Sequence, residues 1–593
     1  MAHLGIAARM SGAALALAAA SLAAQERGPV RDATAYVAGL EAPLRGGNSE
    51  LRGTIERFTA DESSLTQRYP ADWSRARRDA ARGFYRAWQE RVRGVEFGKL
   101  SQEGKVDYLL LRQELTHRLD LLDLEERRLG EITPLLPFGA AIRALDEARE
   151  RVDSVAPEAS ARALGDIARQ ADSARKSVEP ADSAARPGRI VALRASQAVE
   201  SHRKLLAAWR KHYAGYDPLF TWWTTAPYAK ADSALLAYGR TLREKILGVK
   251  QGDDDPIVGD PLGREALVRD IAFEMIPYSP EELIAIGERE LAWCENEMKK
   301  AARAMGLGDD WHAALERVKQ QHVEPGAQPL LVKRLADEAA DWVSQRNLVT
   351  VPPLARDDWR LIMLTPEEQK VNPFFLGGDN IYVAFPTDAM ADDDKRMTLR
   401  GNNIHFSRAT VHHELIPGHH LQAFYQARSN PHRNAFSTPF WTEGWAVYWE
   451  MVLYDGGFPR APEDRVGMLF WRMHRAARII FSLKFHLGEM TPDEAIDFLV
   501  DRVGHERANA TAEVRRSFNG SYPPLYQAGY MLGALQLRAL RAEVVGRGRM
   551  TDRDFHDAIL AGNQMPIELV RARLLGLPLS PDHVAKWRFD SGK

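Results

Sequence analysis

Val411-His-His-Glu-Leu-Ile-Pro-Gly-His-His-Leu-Gln422 sets four histidines and one glutamate around a Pro-Gly pair. A second stretch, Trp441-Thr-Glu-Gly-Trp-Ala-Val-Tyr-Trp-Glu450, follows shortly and brings two more carboxylates. Hydrolysis at a bound zinc ion needs three protein ligands, an open position for water and a nearby base. The usual device is His-Glu-x-x-His on a helix, which stacks two imidazoles one turn apart with the glutamate beside them. Here His413-Glu414 begins that pattern, but the next histidines are His419 and His420. On a straight helix His419 would point about 120° away from His413, and His420 would share its face two turns on. Pro417 alters this geometry, because it lacks an N–H and its ring clashes with the carbonyl of His413. A bulge or loosened turn at Ile416-Pro417-Gly418 is expected, and it would return His419 to the side of His413. His413 and His419 are therefore the predicted metal ligands, with His420 as the competitor.

The third ligand is expected from the second stretch. Glu443 and Glu450 lie two turns apart on a predicted helix and share a face. Glu443 is the choice, because Gly444 beside it permits close backbone approach. Glu450 is the alternate ligand; otherwise it would orient a ligand imidazole through its free N–H. Glu414 is the predicted base, taking a proton from the attacking water. A lone His-Glu pair would say little. Two clusters of ligand-type residues, flanked by aromatics and separated by a short loop, point to a metal centre, with zinc favoured by a His2Glu set.

With these residues in view, His413-Glu-x-x-Pro-Gly-His-His-Leu-Gln422 and Thr442-Glu-Gly-Trp-Ala-x-Tyr-x-Glu450 resemble the bacterial "domain of unknown function 885" family. That family is similar to the thermolysin-like (gluzincin) zinc metallopeptidases, and more distantly to angiotensin-converting enzyme and carboxypeptidase Taq. The resemblance runs from near residue 35 to near the C-terminus. It implies a largely helical enzyme with His413, His419 and Glu443 as ligands and Glu414 as catalyst. It also implies a sheet edge that binds substrate as an added strand, for which Asn380-Ile-Tyr-Val-Ala384 is the candidate. A late-helix tyrosine would steady the oxyanion; Tyr530 is the first candidate and Tyr526 the next. Arg475, Arg478 and His486 match the family pattern.

The rest of the chain supplies context. Its 593 residues are 45% hydrophobic and 27% charged, an ordinary globular composition. A net charge of −2 implies no nucleic-acid or anionic-membrane partner. The single cysteine, Cys294, rules out an intramolecular disulfide and fits a buried position. His3 and Arg9 precede an apolar run from Met10 to Ala24, and Ser21-Leu22-Ala23 fits a small-x-small cleavage site. Residues 1–23 read as a secretory signal peptide without a lipobox cysteine, so the mature chain is expected to be periplasmic or secreted. No other run is long enough to cross a bilayer.

In order along the chain, residues 24–255 read as an N-terminal helical lobe and 256–593 as the catalytic region. Ser101 is a good N-cap for a helix bearing Val106, Leu109, Leu110 and Leu115 on one side. Trp222 and Trp223 are expected in packed core. Asp253-Asp-Asp255 lacks the spacing of a calcium loop and reads as a solvated turn. Ser279-Pro-Glu-Glu282 and Thr491-Pro-Asp-Glu494 are capping boxes with proline at the first helical position. Between about 348 and 385 the character changes: Leu348–Val351, Trp359–Leu364 and Asn380–Phe385 read as strands. Arg538, Arg541 and Arg571 are weaker candidates for anchoring a substrate carboxylate.

The expectation is a mainly α fold, a large helical body with a small β-sheet beside the cleft of the zinc helix. The expected activity is that of a zinc metallopeptidase acting on short peptides. A catalytically inactive zinc-binding scaffold and a non-peptide amidase are the alternatives.

Overall fold

The computed structural model describes residues 49–249, 256–369, 372 and 374–590. The expected signal segment at 1–23 and the aspartates at 253–255 lie outside the described residues. The fold is mainly α, with one small sheet. Helix starts are written in side chains that satisfy otherwise free backbone N–H groups. Ser101 caps α1 (Gln102–Ile132), accepting from the Gly104 N–H at 3.1 Å. Three helices follow, α2 (Pro157–Val178), α3 (Arg189–Tyr213) and α4 (Pro218–Thr241). α5 (Pro280–Ala304) opens on the Ser279/Glu282 capping box, and the Thr491/Glu494 box opens the helix Pro492–Val503.

α1 belongs to two hydrophobic cores. Val106, Leu109, Leu110 and Leu115 pack into the large core shared with the C-terminal half, whereas Ile132 joins a second core with α2, α3 and α4. Buried charge adds to the first connection: Asp107 accepts from His432 at 2.7 Å and from Arg433 at 2.6 Å. Cys294 is buried in the large core. Trp222 and Trp223 are not core residues; they are 73% and 37% exposed. α4 turns Phe220 and Thr224 inward, which leaves the intervening tryptophans on its outer face.

α6 (Gln328–Gln345) precedes the sheet, whose strands are β1 (Leu361–Met363), β2 (Phe375–Leu376) and β3 (Ile381–Val383). The order is β1-β3-β2, with β1 parallel and β2 antiparallel to β3. Asn380–Ala384 therefore holds the central strand and is not an edge, because its backbone already pairs on both sides. The edges are β1 and β2; β2, a two-residue strand too short to register as an alternating run, is the one next to Glu414. Leu348–Val351 forms no strand; it leads through Pro352 into a short helix, Pro353–Asp357.

Phe375, Ile381 and Val383 pack against Leu331 and Leu335 of α6 and against Val411 and Leu415. The sheet thus lies on α7 (Ile404–Glu414). Five more helices complete the surroundings: α8 (His419–Gln426), α9 (Pro439–Asp455), α10 (Pro462–Leu487), α11 (Arg507–Phe518) and α12 (Tyr526–Val544). α9 is apolar nearly all round, with Trp441, Trp445 and Trp449 fully buried, as a helix in the middle of a core must be. It packs against α7 on one side and α12 on the other, and α10 packs against the same two helices.

Candidate metal centre

Asn403 caps α7 by accepting from the N–H groups of His405 and Phe406. The helix ends at Glu414 and α8 begins at His419, with a cis Ile416–Pro417 peptide between them. The helix therefore breaks outright, going further than the bulge or loosened turn expected there. Pro417 offers no N–H to continue the ladder, and the Gly418 N–H donates instead to the His412 carbonyl at 3.0 Å. Only glycine fits there, since a Cβ on Gly418 would lie 2.6 Å from that carbonyl oxygen. Trp445 Nε1 pins the break from α9 by donating to the Pro417 carbonyl at 2.8 Å. The outcome is that the His413 and His419 rings stand 4.8 Å apart at 90°.

Both rings are oriented from behind. His413 Nδ1 donates to Glu450 Oε1 at 2.6 Å, and His419 Nδ1 donates to Gln422 Oε1 at 3.2 Å. Their Nε2 atoms then face one oxygen, Glu443 Oε2, at 3.6 and 3.1 Å. Two imidazoles with their far nitrogens engaged, converging on a shared carboxylate, form a donor set that fits a divalent ion such as zinc. The ligand atoms of His413, Glu414 and His419 also lie within 4.8 Å of one another. Glu443 is nevertheless the carboxylate both nitrogens turn to. Glu414 leans instead against Gly377, just past β2, where a side chain would collide with its carboxylate.

His420 is not brought to this cluster. One position further round α8, its Nε2 lies 2.7 Å from the Ala355 carbonyl and 2.9 Å from Asp358 Oδ1. Glu450 sits behind His413 and also accepts from Arg475 at 3.3 Å. Gly444 permits the close backbone approach expected of it, and the backbone that approaches is that of another helix. This lets α9 touch α12, since a Cβ on Gly444 would fall 2.7 Å from Gly533 Cα. That contact sets Tyr526 against the cluster, and its hydroxyl donates to Glu443 Oε1. The Tyr530 ring lies parallel to His413 at 6.1 Å.

A cavity of about 370 Å³ opens over these residues. Phe374–Gly378 line one side, and Tyr522, Tyr526 and Tyr530 another. Arg475 and Arg478 of α10 and Arg516 of α11 complete the wall. Arg538, Arg541 and Arg571 lie elsewhere, paired with Asp455, Asp552 and Glu543. Nothing in the sequence reading singled out Arg516. A usable signal did exist for its neighbours: Arg475 and Arg478 sit in a largely apolar stretch of helix, Val466 to Leu483, that is buried throughout, where a charge must have a buried purpose.

The electrostatics follow from burial and proximity. Burial opposes charge on Glu443, but His419 and His413 outweigh it and hold the carboxyl well below the usual range. Burial likewise opposes charge on Glu450, yet Arg475 and His413 bring its pKa down to about 2. For Glu414, burial wins over the pull of His413 and His419, and its pKa is raised. Burial, reinforced by the nearby Glu443 charge, pushes Tyr526 and Tyr530 up, so both stay neutral phenols with a proton to donate.

Over residues 60–574 the sequence matches the profile of a family described as "Bacterial protein of unknown function (DUF885)". The chain belongs to this family. No curated protein matches it. Among solved structures it is similar to a protein from Shewanella oneidensis described as a candidate lipoprotein of unknown function. The TM-score is 0.65 at 18% identity, covering 88% of this chain and 98% of the other. A candidate lipoprotein from Colwellia psychrerythraea is also similar, with TM-score 0.57 and 16% identity over 89% of this chain and 97% of the other. At these identities the likeness is one of fold. Among the described residues, no helix is long and apolar enough to cross a membrane.

Proposed function

We propose that this protein is a zinc-dependent metallopeptidase, secreted or periplasmic by virtue of the signal segment at 1–23, that hydrolyses bonds in short peptides. The observation that carries this reading is the convergence of the His413 and His419 Nε2 atoms on Glu443 Oε2 beneath a cavity also lined by Glu414. His413, His419 and Glu443 would hold the ion. Zinc, when bound, supplies Lewis-acid polarisation and a more acidic water. Glu414 takes the proton from the attacking water and returns it to the departing amine, a task suited to a carboxylate whose pKa burial has raised. Tyr530 turns a neutral phenol toward the cavity and can donate to the carbonyl oxygen as negative charge builds there, whereas the Tyr526 proton is engaged by Glu443. β2 and the Gly377-Gly378 turn offer the substrate backbone a strand edge next to Glu414. The resemblance to gluzincin peptidases supports the same assignment.

Metal content by mass spectrometry, with digestion of a peptide mixture, tests this. About one zinc per chain is expected in the wild type, and none in His413→Ala or Glu443→Ala. Glu414→Gln should keep the metal and lose hydrolysis by about 10²–10⁴-fold. A wild type that takes up no zinc after supplementation, or a Glu414→Gln digest identical to that of the wild type, would overturn the assignment.

A further inference from the structure

Three arginines are an unusual lining for a small cavity. Arg475, Arg478 and Arg516 are each more than nine-tenths buried. A guanidinium carries five N–H donors. Among the described residues Arg475 donates to Glu450, Arg478 donates to Glu513 at 2.7 Å, and Arg516 donates to the Tyr522 hydroxyl at 3.0 Å. Arg475 Nε, Arg478 Nη1 and Arg516 Nε are buried with no hydrogen-bond partner. Buried donors left unpaired are costly, and more so on a charged group. Arg478 and Arg516 also share a single carboxylate, Glu513, which lies 3.8 Å from Arg516 Nε.

We propose that Arg475, Arg478 and Arg516 form a subsite for a carboxylate of the substrate, set beyond the bond to be cut. The inference rests on the peptidase reading for the cut itself, though not for the binding. Charge bookkeeping points to an anion. The three guanidinium groups face two carboxylate partners, Glu450 and Glu513, which leaves one positive charge over. Guanidinium groups match a carboxylate with paired, charge-assisted hydrogen bonds. Spacing agrees. The Arg478 guanidinium sits 4.2 Å from the Tyr530 ring centre and the His413 ring 6.1 Å from the same centre. The arginine and the metal-facing imidazole are therefore within about 10 Å of each other, no more than about three extended residues at ~3.5 Å each. A terminal carboxylate one or two residues past the scissile carbonyl would reach the arginines, which makes the enzyme an exopeptidase acting at free C-termini. An acidic side chain at the same place would offer the same chemistry.

The test is binding, measured by calorimetry on Glu414→Gln protein with and without zinc. The probes are N-acetyl-trialanine as the free acid, its C-terminal amide, and an amidated analogue carrying one glutamate. The free acid is expected to bind about 10- to 100-fold more tightly than the amide, the range of a charge-assisted hydrogen-bond set. That preference should persist without zinc. It should fall by about tenfold in Arg478→Lys and Arg516→Lys, which keep the charge and spare Glu450. Selection of the glutamate analogue over its neutral amide, with no preference for the free acid, would assign the subsite to an acidic side chain. An acid preference seen only with zinc would mean that the carboxylate binds the metal, and would overturn the proposal, as would equal binding of all three probes. Hydrolysis is read separately on wild-type protein: cleavage of amides and acids alike refutes the subsite while leaving the peptidase, whereas acid-selective binding without cleavage does the reverse.

Discussion

Replacing Gly533 by alanine tests the contact that joins α9 to α12. On helix propensity alone the change should stabilise an interior helical site by about 1 kcal/mol. The structure predicts the opposite sign. A Cβ on Gly533 would lie 2.8 Å from the Phe440 carbonyl carbon and 2.9 Å from Gly444 Cα. The Phe440 carbonyl oxygen would be closer still, well inside the 3.0 Å below which real Cβ contacts essentially never fall, so the two helices must part by roughly 1 Å. The obstacle is backbone on both sides, so no side chain can swing away. Overpacking of this kind costs about 1–3 kcal/mol; at the upper end, less the propensity gain, the net loss is about 2 kcal/mol. Glu443 adjoins Gly444, and Tyr526 lies on the displaced helix. Metal affinity should fall by about tenfold, since a shift above ~0.5 Å exceeds what a preorganised site tolerates. Thermal unfolding of metal-free protein and zinc competition against a chelator would measure the two effects. Gly165→Ala on α2 is the matched control: its Cβ would meet only the end of the Arg169 side chain at 3.5 Å. It should stabilise by about 0.5–1 kcal/mol. If Gly533→Ala matched or exceeded the wild type while Gly165→Ala behaved as stated, the helix contact would not be what holds the site.

Three further outcomes follow from the geometry. Glu450→Gln removes the charged partner of His413 Nδ1 and should weaken zinc binding by about 10- to 100-fold while leaving the stoichiometry at one, by the same chelator competition. His420→Ala should keep full zinc content yet lower the unfolding temperature, because it deletes the contacts to Ala355 and Asp358; loss of zinc would make His420 a ligand after all. Glu274 is fully buried and hydrogen-bonded to the Thr438 cap of α9; burial lifts its pKa from 4.5 to about 8, against the Thr438 bond and aided by Asp270. A raised folded pKa gives stability that is present below pH 4.5 and lost as pH rises toward 8. Unfolding followed from pH 5 to 9 should therefore show this loss in the wild type and a flatter profile in Glu274→Gln, which should be the more stable at pH 8 by about 1–4 kcal/mol.

Local chemistry made much of the helical body readable. Ser101, Ser279 and Thr491 announce helix starts through hydrogen bonds made within one turn, and all three cap as read. Pro417 announced a disturbance by its missing N–H, but whether the helix bulges or stops depends on contacts from α9, such as Trp445 to the Pro417 carbonyl. Those contacts are remote in sequence and leave no local mark. The same limit explains Gly444, whose partner Gly533 lies on another helix. It explains β2 as well, whose two residues gain strand character only from pairing with β3. Trp222 and Trp223 show the converse error: aromatic character argued for burial, while among the described residues nothing covers the face of α4 they occupy well enough to bury them.

Stability alone does not account for the charge gathered around the cavity. Removing two ions from water costs several kcal/mol each, and replacing a buried pair by apolar residues is often neutral or stabilising. Here Glu443, Glu450 and Glu513 are buried beside His413, Arg475 and Arg478, in a helical core that has ample apolar surface to fill the same volume. The pairs are also linked rather than isolated. Glu450 binds both the imidazole of His413 and the guanidinium of Arg475, so one carboxylate orients the metal side and holds an arginine of the opposite wall. Arg478 and Arg516 pair with Glu513 of α11 instead. The wall thus has one arginine sharing a carboxylate with a proposed metal ligand and two paired with a different carboxylate. Such a division suits a site that must position a metal and an anionic group at a fixed separation while letting the anion come and go.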